Sequence, residues 1–342
     1  MSQRADSLST INTIDVLDQV QPEEFAQILA NRTEPVLLRG LVADWPMVKA
    51  AQESYASLDA YLRRLYQGAT VSVFSGAPEI GGRFFYNESL TGLNFTRSRE
   101  KLDAVLDMLS RHRDSTPAPS VYVGATTVDN CLPAFRTQNP LEFGDISPLA
   151  SIWIGNRTRI AAHYDVPDNV ACVAAGRRRF TVFPPDQLQN LYVGPIEFTP
   201  AGQQISLVDF HQPDLERFPR FRQAMEHARV IDMMPGDAIF IPSMWWHHVE
   251  SMDTLNVLVN YWWRKSPAYM GPPVDVLYHA LLSLRDLPPA QKQAWAGIFE
   301  HYIFSDEPAL DHIPEPMQGL LGLLDETKAR KIRATLLGRL NR

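Results

Sequence analysis

The sequence predicts a mainly β protein with helical decoration: a double-stranded β-helix, or jelly roll, followed by C-terminal helices. Three observations lead to this prediction. Short apolar or alternating segments recur between residues 121 and 262, glycine and proline turns separate them, and apolar residues return at helical spacing beyond Pro267. Many short strands joined by tight turns are typical of closed β architectures. We therefore expect one domain over residues 1–266 and a helical region over residues 267–342.

The N-terminal third is predicted to combine helices with strands. Apolar residues at every third or fourth position predict helices, whereas β-branched runs and strict alternation predict strands. A turn at residues 43–46 follows the first predicted strand. The predicted helices are 22–31, 58–66 and 99–110, and the predicted strands are 35–40 and 70–75.

The middle of the chain is predicted to supply the strands of the jelly roll. Each segment is short, apolar or alternating, and bounded by turn residues. The predicted strands are 121–123, 151–154, 170–174, 178–183, 205–210, 238–241, 245–250 and 256–262.

Three stretches beyond Pro267 repeat apolar residues at helical spacing, at 274–281, 295–302 and 332–340. An amphipathic stripe does not identify the surface that it meets. Two interpretations remain open: helices packed on the barrel, or a module that pairs two subunits.

Composition restricts the compartment and the partners. The two cysteines, Cys131 and Cys172, are interpreted as packing residues and indicate a reducing compartment. The first twenty residues contain no apolar core of a signal peptide, and no run of apolar residues is long enough to span a bilayer, so a cytoplasmic location is expected. The net charge of −7 makes nucleic acid and anionic membranes less favoured partners than a protein or peptide.

Two histidines and one aspartate are the candidate metal ligands. His163 and Asp165 are two positions apart, so in an extended strand both side chains point to one face. His247 follows far downstream, after a Pro-Gly-Asp turn and an apolar strand, where the chain can return beside them. Two imidazoles and one carboxylate form the facial triad that holds ferrous iron with open positions. We predict that these three residues bind the metal. The adjacent His248 competes with His247 as the third ligand, because neighbours on a strand face opposite sides and only one of the two can join the site.

These motifs resemble the JmjC/cupin-8 family of Fe(II)- and 2-oxoglutarate-dependent oxygenases. The resemblance extends from about residue 25 to about residue 263, and its order of motifs is most similar to the branch of factor inhibiting HIF, an asparaginyl hydroxylase. It implies a dioxygenase that hydroxylates a protein or peptide side chain, and a homodimer formed through C-terminal helices. The motifs are His163-Tyr-Asp165 with the segment to Asn169, Gly176-Arg-Arg178 with the segment to residue 188, residues 209–219, and Pro235-Gly-Asp with Trp246-His247-His248.

The resemblance also implies residues that bind the cosubstrate. Arg178 falls where the family usually carries a lysine for the 5-carboxylate of 2-oxoglutarate, and Tyr122 falls near a tyrosine that contacts the same carboxylate. Asn169 and Asn260 fall where asparagines approach the iron-bound end. Ile160 stands where some members place a threonine hydroxyl, which leaves a different dicarboxylate pose open. A deeply placed carboxylate needs a cation, and a guanidinium offers two parallel donors to it.

Each of these four residues also has a purely structural interpretation. Arg178 can be a solvated strand residue, Tyr122 a core tyrosine with one satisfied hydroxyl, and the two asparagines can bond turns and strand ends.

Other functions remain open at this point. A cupin-fold enzyme could hold zinc, manganese or nickel in the same pocket without 2-oxoglutarate. A silent binding module is disfavoured by the intact triad, and a histone demethylase by the lack of zinc-finger cysteines. A hydroxylase of tRNA or of a small molecule is a further alternative. The segment 193–206 is a candidate for the entrance of the site, and nothing in it identifies the substrate.

Overall fold

The computed structural model of this protein describes residues 13–200, 202–305 and 310–341. Residues 1–12 of the predicted first domain and Ala201 of the predicted entrance segment lie outside the described residues. The chain divides into two compact units, Met1–Arg264 and Lys265–Arg342. No described helix is both long and apolar enough to cross a membrane.

The strands are β1 Asp15–Asp18, β2 Val36–Arg39, β3 Thr70–Gly76, β4 Arg83–Phe84, β5 Thr96–Lys101, β6 Ser120–Thr127, β7 Leu149–Gly155, β8 Thr158–Tyr164, β9 Asp168–Ala175, β10 Arg178–Phe183, β11 Arg229–Met233, β12 Ala238–Ile241, β13 Trp246–Ser251 and β14 Asn256–Trp263. The α-helices are α1 Pro22–Asn31, α2 Pro46–Glu53, α3 Tyr55–Leu65, α4 Leu102–Arg111, α5 Val128–Cys131, α6 Phe135–Gln138, α7 Phe221–Glu226, α8 Pro273–Ser283, α9 Pro289–Phe299 and α10 Glu326–Leu340.

Two sheets form the first unit and confirm the predicted jelly roll. The larger sheet has the order β1-β2-β12-β9-β14-β7-β6-β3-β5, and the smaller has the order β11-β10-β13-β8-β4. Most pairings are antiparallel, and from β8 to β14 the chain passes back and forth between the two sheets, except that β10 and β11 are neighbours in the smaller one. Every residue of β9 and β12 is buried, which matches the apolar sequence of β12 and that of β9 from Val170 onward.

The Pro-Gly-Asp turn joins β11 to β12 and is tied to the end of β2. Asp237 is buried and accepts hydrogen bonds from the Arg39 side chain at 2.6 Å and from the Gly40 backbone amide at 3.0 Å. Gly236 has φ of 106°, a conformation that residues with a side chain rarely adopt. This turn sends the chain back through β12 toward β13, which carries His247.

The structure corrects three predictions of local structure. The predicted helix 99–110 begins at Leu102, because the preceding residues form the edge strand β5, whose exposed side chains show no apolar alternation. The predicted turn at 43–46 leads directly into α2, which the sequence analysis did not predict. The predicted strand 205–210 is absent: Ile205 and Ser206 make single bridges, and Asp209 then accepts a bond from the His211 amide, which turns the chain.

The second unit contains the helices α8, α9 and α10. Apolar residues recur along all three, as the sequence predicts, and α10 begins with Asp325 accepting a hydrogen bond from the Lys328 amide. Among the described residues of this unit, Ala329 alone is buried.

Candidate functional site

The three candidate metal ligands meet between two adjacent strands of the smaller sheet. His163 near the end of β8 pairs directly with His247 near the start of β13, and their ring centroids are 4.3 Å apart. Asp165 follows β8, and its Oδ2 lies 3.7 Å from Nε2 of His247. One ligand atom from each residue lies within 4.8 Å of the other two. Metal–ligand bonds of roughly 2 Å place neighbouring ligand atoms roughly 3 Å apart, so a small movement of the three side chains toward one another suffices to bind an ion.

Backbone hydrogen bonds fix which nitrogen of each histidine faces the metal position. Nδ1 of His163 donates to the carbonyl of Ala161 at 2.9 Å, and Nδ1 of His247 donates to the carbonyl of Trp245 at 3.0 Å. A carbonyl only accepts, so each Nδ1 carries the proton and each Nε2 keeps a free lone pair. Both rings are thereby prepared to ligate through Nε2.

Burial keeps His247 neutral. Desolvation and the neighbouring His163 lower the pKa of His247 to about 4, although Asp165 opposes the shift. A neutral imidazole is the form that binds a metal. Two imidazoles and one carboxylate form a donor set that fits a divalent transition metal.

A cavity of about 310 Å³ opens beside the three ligands. Its wall is mostly aromatic and aliphatic, with a few polar side chains, as is typical of small-molecule sites. The lining residues are Phe74, Phe84, Arg97, Tyr122, Ala125, Trp153, Ile160, Ala161, His163, Asp165, Asn169, Phe180, Pro200, Gly202, Ile205, His247, Val249, Leu258, Asn260 and Trp262.

Tyr122 forms part of the cavity wall and contacts Arg178. Its ring is stacked between Phe84, with centroids 5.9 Å apart, and Trp153, with centroids 5.6 Å apart. Gly155 on the adjacent strand makes this packing possible, because a side-chain carbon there would lie only 2.9 Å from the tyrosine ring. Burial raises the pKa of Tyr122 to about 12, so the hydroxyl stays protonated.

Arg178 is a buried cation that no described carboxylate neutralises. It is 1% exposed, its side chain bonds to the Tyr122 hydroxyl, and its Nε and Nη2 have no partner among the described residues. Burial lowers its pKa. As strand alternation predicts, Arg177 and Arg179 point outward instead, to Asp253 and Asp232. A buried guanidinium with free donors is unfavourable unless an anion meets it.

The predicted asparagines lie together on the cavity wall. Nδ2 of Asn260 donates to Oδ1 of Asn169 at 2.9 Å across β9 and β14. Ile160 also lines the cavity, so the hydroxyl that some family members have is replaced by an apolar surface. From the predicted entrance segment, Pro200, Gly202 and Ile205 line the cavity.

His248 lies on the opposite face of β13 from His247. Its ring stacks on Phe210 with centroids 4.4 Å apart, and it does not line the cavity.

The sequence analysis missed two cavity residues of chemical interest. Trp262 lines the cavity two positions after Asn260, on the same face of β14. That alternation was a usable signal. Arg97 comes from β5, a strand that the sequence pattern did not predict, so no sequence signal pointed to it.

Comparisons with known proteins agree with this geometry. The cupin-like domain family matches residues 22–269. Lysine-specific demethylase JMJ31 of Arabidopsis thaliana is 35% identical over 127 residues, which cover 36% of this chain and 23% of that protein. tRNA wybutosine-synthesizing protein 5 of Mus musculus is 30% identical over 165 residues, covering 44% of this chain and 47% of that protein. Lysine-specific demethylase 8 of Xenopus tropicalis is 26% identical over 236 residues, which cover 67% of this chain and 48% of that protein.

The chain spans from about a quarter to about half of the length of these relatives. Their names describe different substrates, so the relatives do not identify a substrate for this protein. The place of the chain in the branch of factor inhibiting HIF stays a prediction. The family match covers more than half of the chain, and the triad and jelly roll accompany it, so the chain belongs to the cupin-like, JmjC-type family.

Proposed function

We propose that this protein is an Fe(II)- and 2-oxoglutarate-dependent oxygenase that hydroxylates a side chain of a protein or peptide in the cytoplasm. The observation that favours 2-oxoglutarate over other cupin chemistry is the buried guanidinium of Arg178. This guanidinium has free donors, no described carboxylate partner and a direct contact with the cavity residue Tyr122. A dicarboxylate that chelates the metal at one end can bring its other carboxylate to this pair.

The residues of the site have separate roles in this proposal. His163, Asp165 and His247 would hold the iron, and Tyr122 and Arg178 would bind the distal carboxylate of the cosubstrate. Iron and 2-oxoglutarate supply, when bound, the oxidising chemistry that couples decarboxylation to hydroxylation of a C–H bond. The aromatic wall excludes water and orients the cosubstrate, and the tautomers fixed by Ala161 and Trp245 keep both Nε2 atoms directed to the metal.

The proposed substrate of this site is a protein or peptide. Relatives named demethylases and a tRNA wybutosine-synthesizing protein raise methylated lysine and tRNA as alternatives. A net charge of −7 makes long-range attraction of tRNA unfavourable. Protein or peptide is therefore the preferred substrate class.

Formation of succinate tests the proposed function. The protein would be loaded anaerobically with Fe(II), Mn(II), Zn(II) or Ni(II), supplied with 2-oxoglutarate and oxygen, and assayed for succinate by NMR. Among the four metals, we expect only Fe(II) to support the formation of succinate. In parallel, 2-oxoglutarate at a hundredfold excess over its Kd should stabilise the Mn(II)-loaded protein by about 2.7 kcal/mol, seen as a higher Tm. No succinate together with no rise in Tm would instead favour a cupin enzyme that does not use 2-oxoglutarate.

We also propose that the second unit forms a homodimer. Its described residues expose many large apolar side chains, among them Leu282 at 77%, Leu323 at 94% and Leu337 at 64%. Apolar surface of this extent marks an interaction site, and two-fold homodimers are the commonest oligomers. The partner proposed here is therefore a second copy of this chain.

Light scattering coupled to gel filtration tests the dimer. The wild-type protein should have twice the 38.6 kDa mass of one chain. We expect Leu337→Glu to yield the monomer, because a charge would be buried in the apolar contact. The matched control is Leu188→Glu, at an exposed leucine of the first unit. A wild-type monomer, or a Leu337→Glu protein that remains dimeric, would contradict a dimer formed through α10.

A further inference from the structure

Arg97 is a cation held in a fixed position on the cavity wall. It lies directly opposite Phe74 in the pairing of β5 with β3. Its guanidinium carbon is 5.1 Å from the centre of the Phe74 ring and 5.6 Å from that of Phe95. Nη2 donates to the carbonyl of Pro200 at 2.8 Å. Stacking on two rings and one hydrogen bond together hold the guanidinium before any ligand binds.

The remaining donors of Arg97 have no partner within the described parts of the chain. The structure shows no ion pair for it, and its Nε and Nη1 make no hydrogen bond there. Among the described residues that line the cavity, it is the one lysine or arginine. A guanidinium held against an aromatic wall binds a carboxylate more strongly than one that is free in water.

Arg97 stands apart from the proposed cosubstrate end of the cavity. Arg97, Phe74 and Tyr122 are cross-strand partners in one row over β5, β3 and β6. Two interstrand spacings separate Arg97 from Tyr122, about 10 Å between their Cα atoms. Tyr122 contacts Arg178, so the row has one cation at each end. Arg178 suffices for the distal carboxylate of the cosubstrate, which leaves Arg97 for a different anion.

The position of β5 indicates the shape of the molecule that carries this anion. β5 is the last strand of the larger sheet, and among the described residues it pairs only with β3. Half of its backbone donors and acceptors therefore face outward along its free edge. An extended peptide can pair with such an edge through its own backbone.

We propose that Arg97 binds an acidic side chain of an extended peptide substrate that lies along β5 and directs its reacting residue into the cavity. This inference rests on the proposed function and names the class of substrate for that site. A nucleic acid is the less favoured occupant, because the net charge of −7 does not attract a polyanion to this protein.

Binding of labelled peptide pools tests the role of Arg97. Three pools of short fluorescent peptides, identical except for glutamate, glutamine or lysine at random positions, would be titrated by anisotropy into the full-length Mn(II)-loaded protein. We expect the glutamate pool to bind about tenfold more tightly than the glutamine pool, since hydrogen bonds between a guanidinium and a carboxylate are stronger than those to a neutral amide. Arg97→Gln should remove this preference and Arg97→Lys should retain part of it.

Arg111→Gln is the matched control, because it removes the same charge from an exposed arginine of α4 that neither lines the cavity nor belongs to β5. It should keep the preference for glutamate. Turnover of 2-oxoglutarate without peptide would be measured on the wild-type protein of the same preparation. Formation of succinate together with equal binding of the glutamate and glutamine pools would leave the proposed function standing while overturning the role of Arg97, which separates the two tests. Equal binding of the glutamate and glutamine pools, or a preference that survives Arg97→Gln, would overturn the proposal. So would tighter binding of a single-stranded oligonucleotide than of the glutamate pool.

Discussion

We expect the substitution His163→Ala to abolish both metal binding and turnover of 2-oxoglutarate. The ring supplies one of the three protein ligands, and its Nε2 is directed to the metal by the bond from Nδ1 to Ala161. Loss of an outer-shell partner of a metal site typically costs 10–100-fold in affinity, so loss of a ligand should cost at least about a hundredfold. Calorimetric titration with Mn(II), followed by the succinate assay with Fe(II), measures both effects.

The control for this experiment is His211→Ala. His211 is exposed and bonds to Glu250 on the outside of the barrel, so its loss removes an imidazole without touching the cavity. Metal affinity and turnover should remain at the wild-type level. Metal binding by the His163→Ala protein at unchanged affinity would show that the ion binds elsewhere. Circular dichroism would establish that both variants are folded.

The grouping of the three candidate metal ligands could be predicted because it depends on short-range regularities. The two-residue spacing of His163 and Asp165 holds for any strand, and the following turn and apolar strand indicated the return of the chain to His247. The same alternation explains why Arg178 is buried whereas its neighbours Arg177 and Arg179 point outward, although the role of Arg178 was inferred from the family resemblance. In these cases a residue's orientation follows from its own strand.

The remaining parts of the site depend on which strands become neighbours. Arg97 reaches the cavity because β5 pairs with β3, and no sequence pattern within β5 predicts that pairing. Its side chains are nearly all exposed, so the apolar periodicity used to recognise strands is missing. Likewise, apolar residues at 205–210 resemble a strand, yet hydrogen bonds to Asp209 turn the chain there. Tertiary pairing determines these features.

We expect Arg178→Met to eliminate binding of 2-oxoglutarate while leaving the free protein as stable as wild type or more stable. The guanidinium is buried without a described carboxylate partner. In the free protein, the free-energy cost of removing its charge from water is therefore not offset by an ion pair. Methionine fills a similar volume and needs no partner. The bound 5-carboxylate would in turn be left buried and unpaired, which typically costs 2–5 kcal/mol, or roughly 30-fold or more in affinity.

Opposite changes in stability and binding distinguish this role from a structural one. A structural arginine would, on replacement, lower the Tm of the free protein and leave the rise in Tm caused by 2-oxoglutarate nearly intact. Replacement of a cosubstrate-binding arginine should leave the Tm of the free protein unchanged or higher and should abolish the rise in Tm caused by 2-oxoglutarate. Arg178→Lys should recover part of the binding, because lysine restores the charge without the two parallel donors of a guanidinium. Tyr122→Phe, which removes only a neutral hydroxyl from the same pair, should weaken binding by a smaller factor than Arg178→Met. If the Arg178→Met protein binds 2-oxoglutarate as tightly as wild type, the 5-carboxylate lies elsewhere, and the apolar surface at Ile160 then accompanies a different pose of the dicarboxylate.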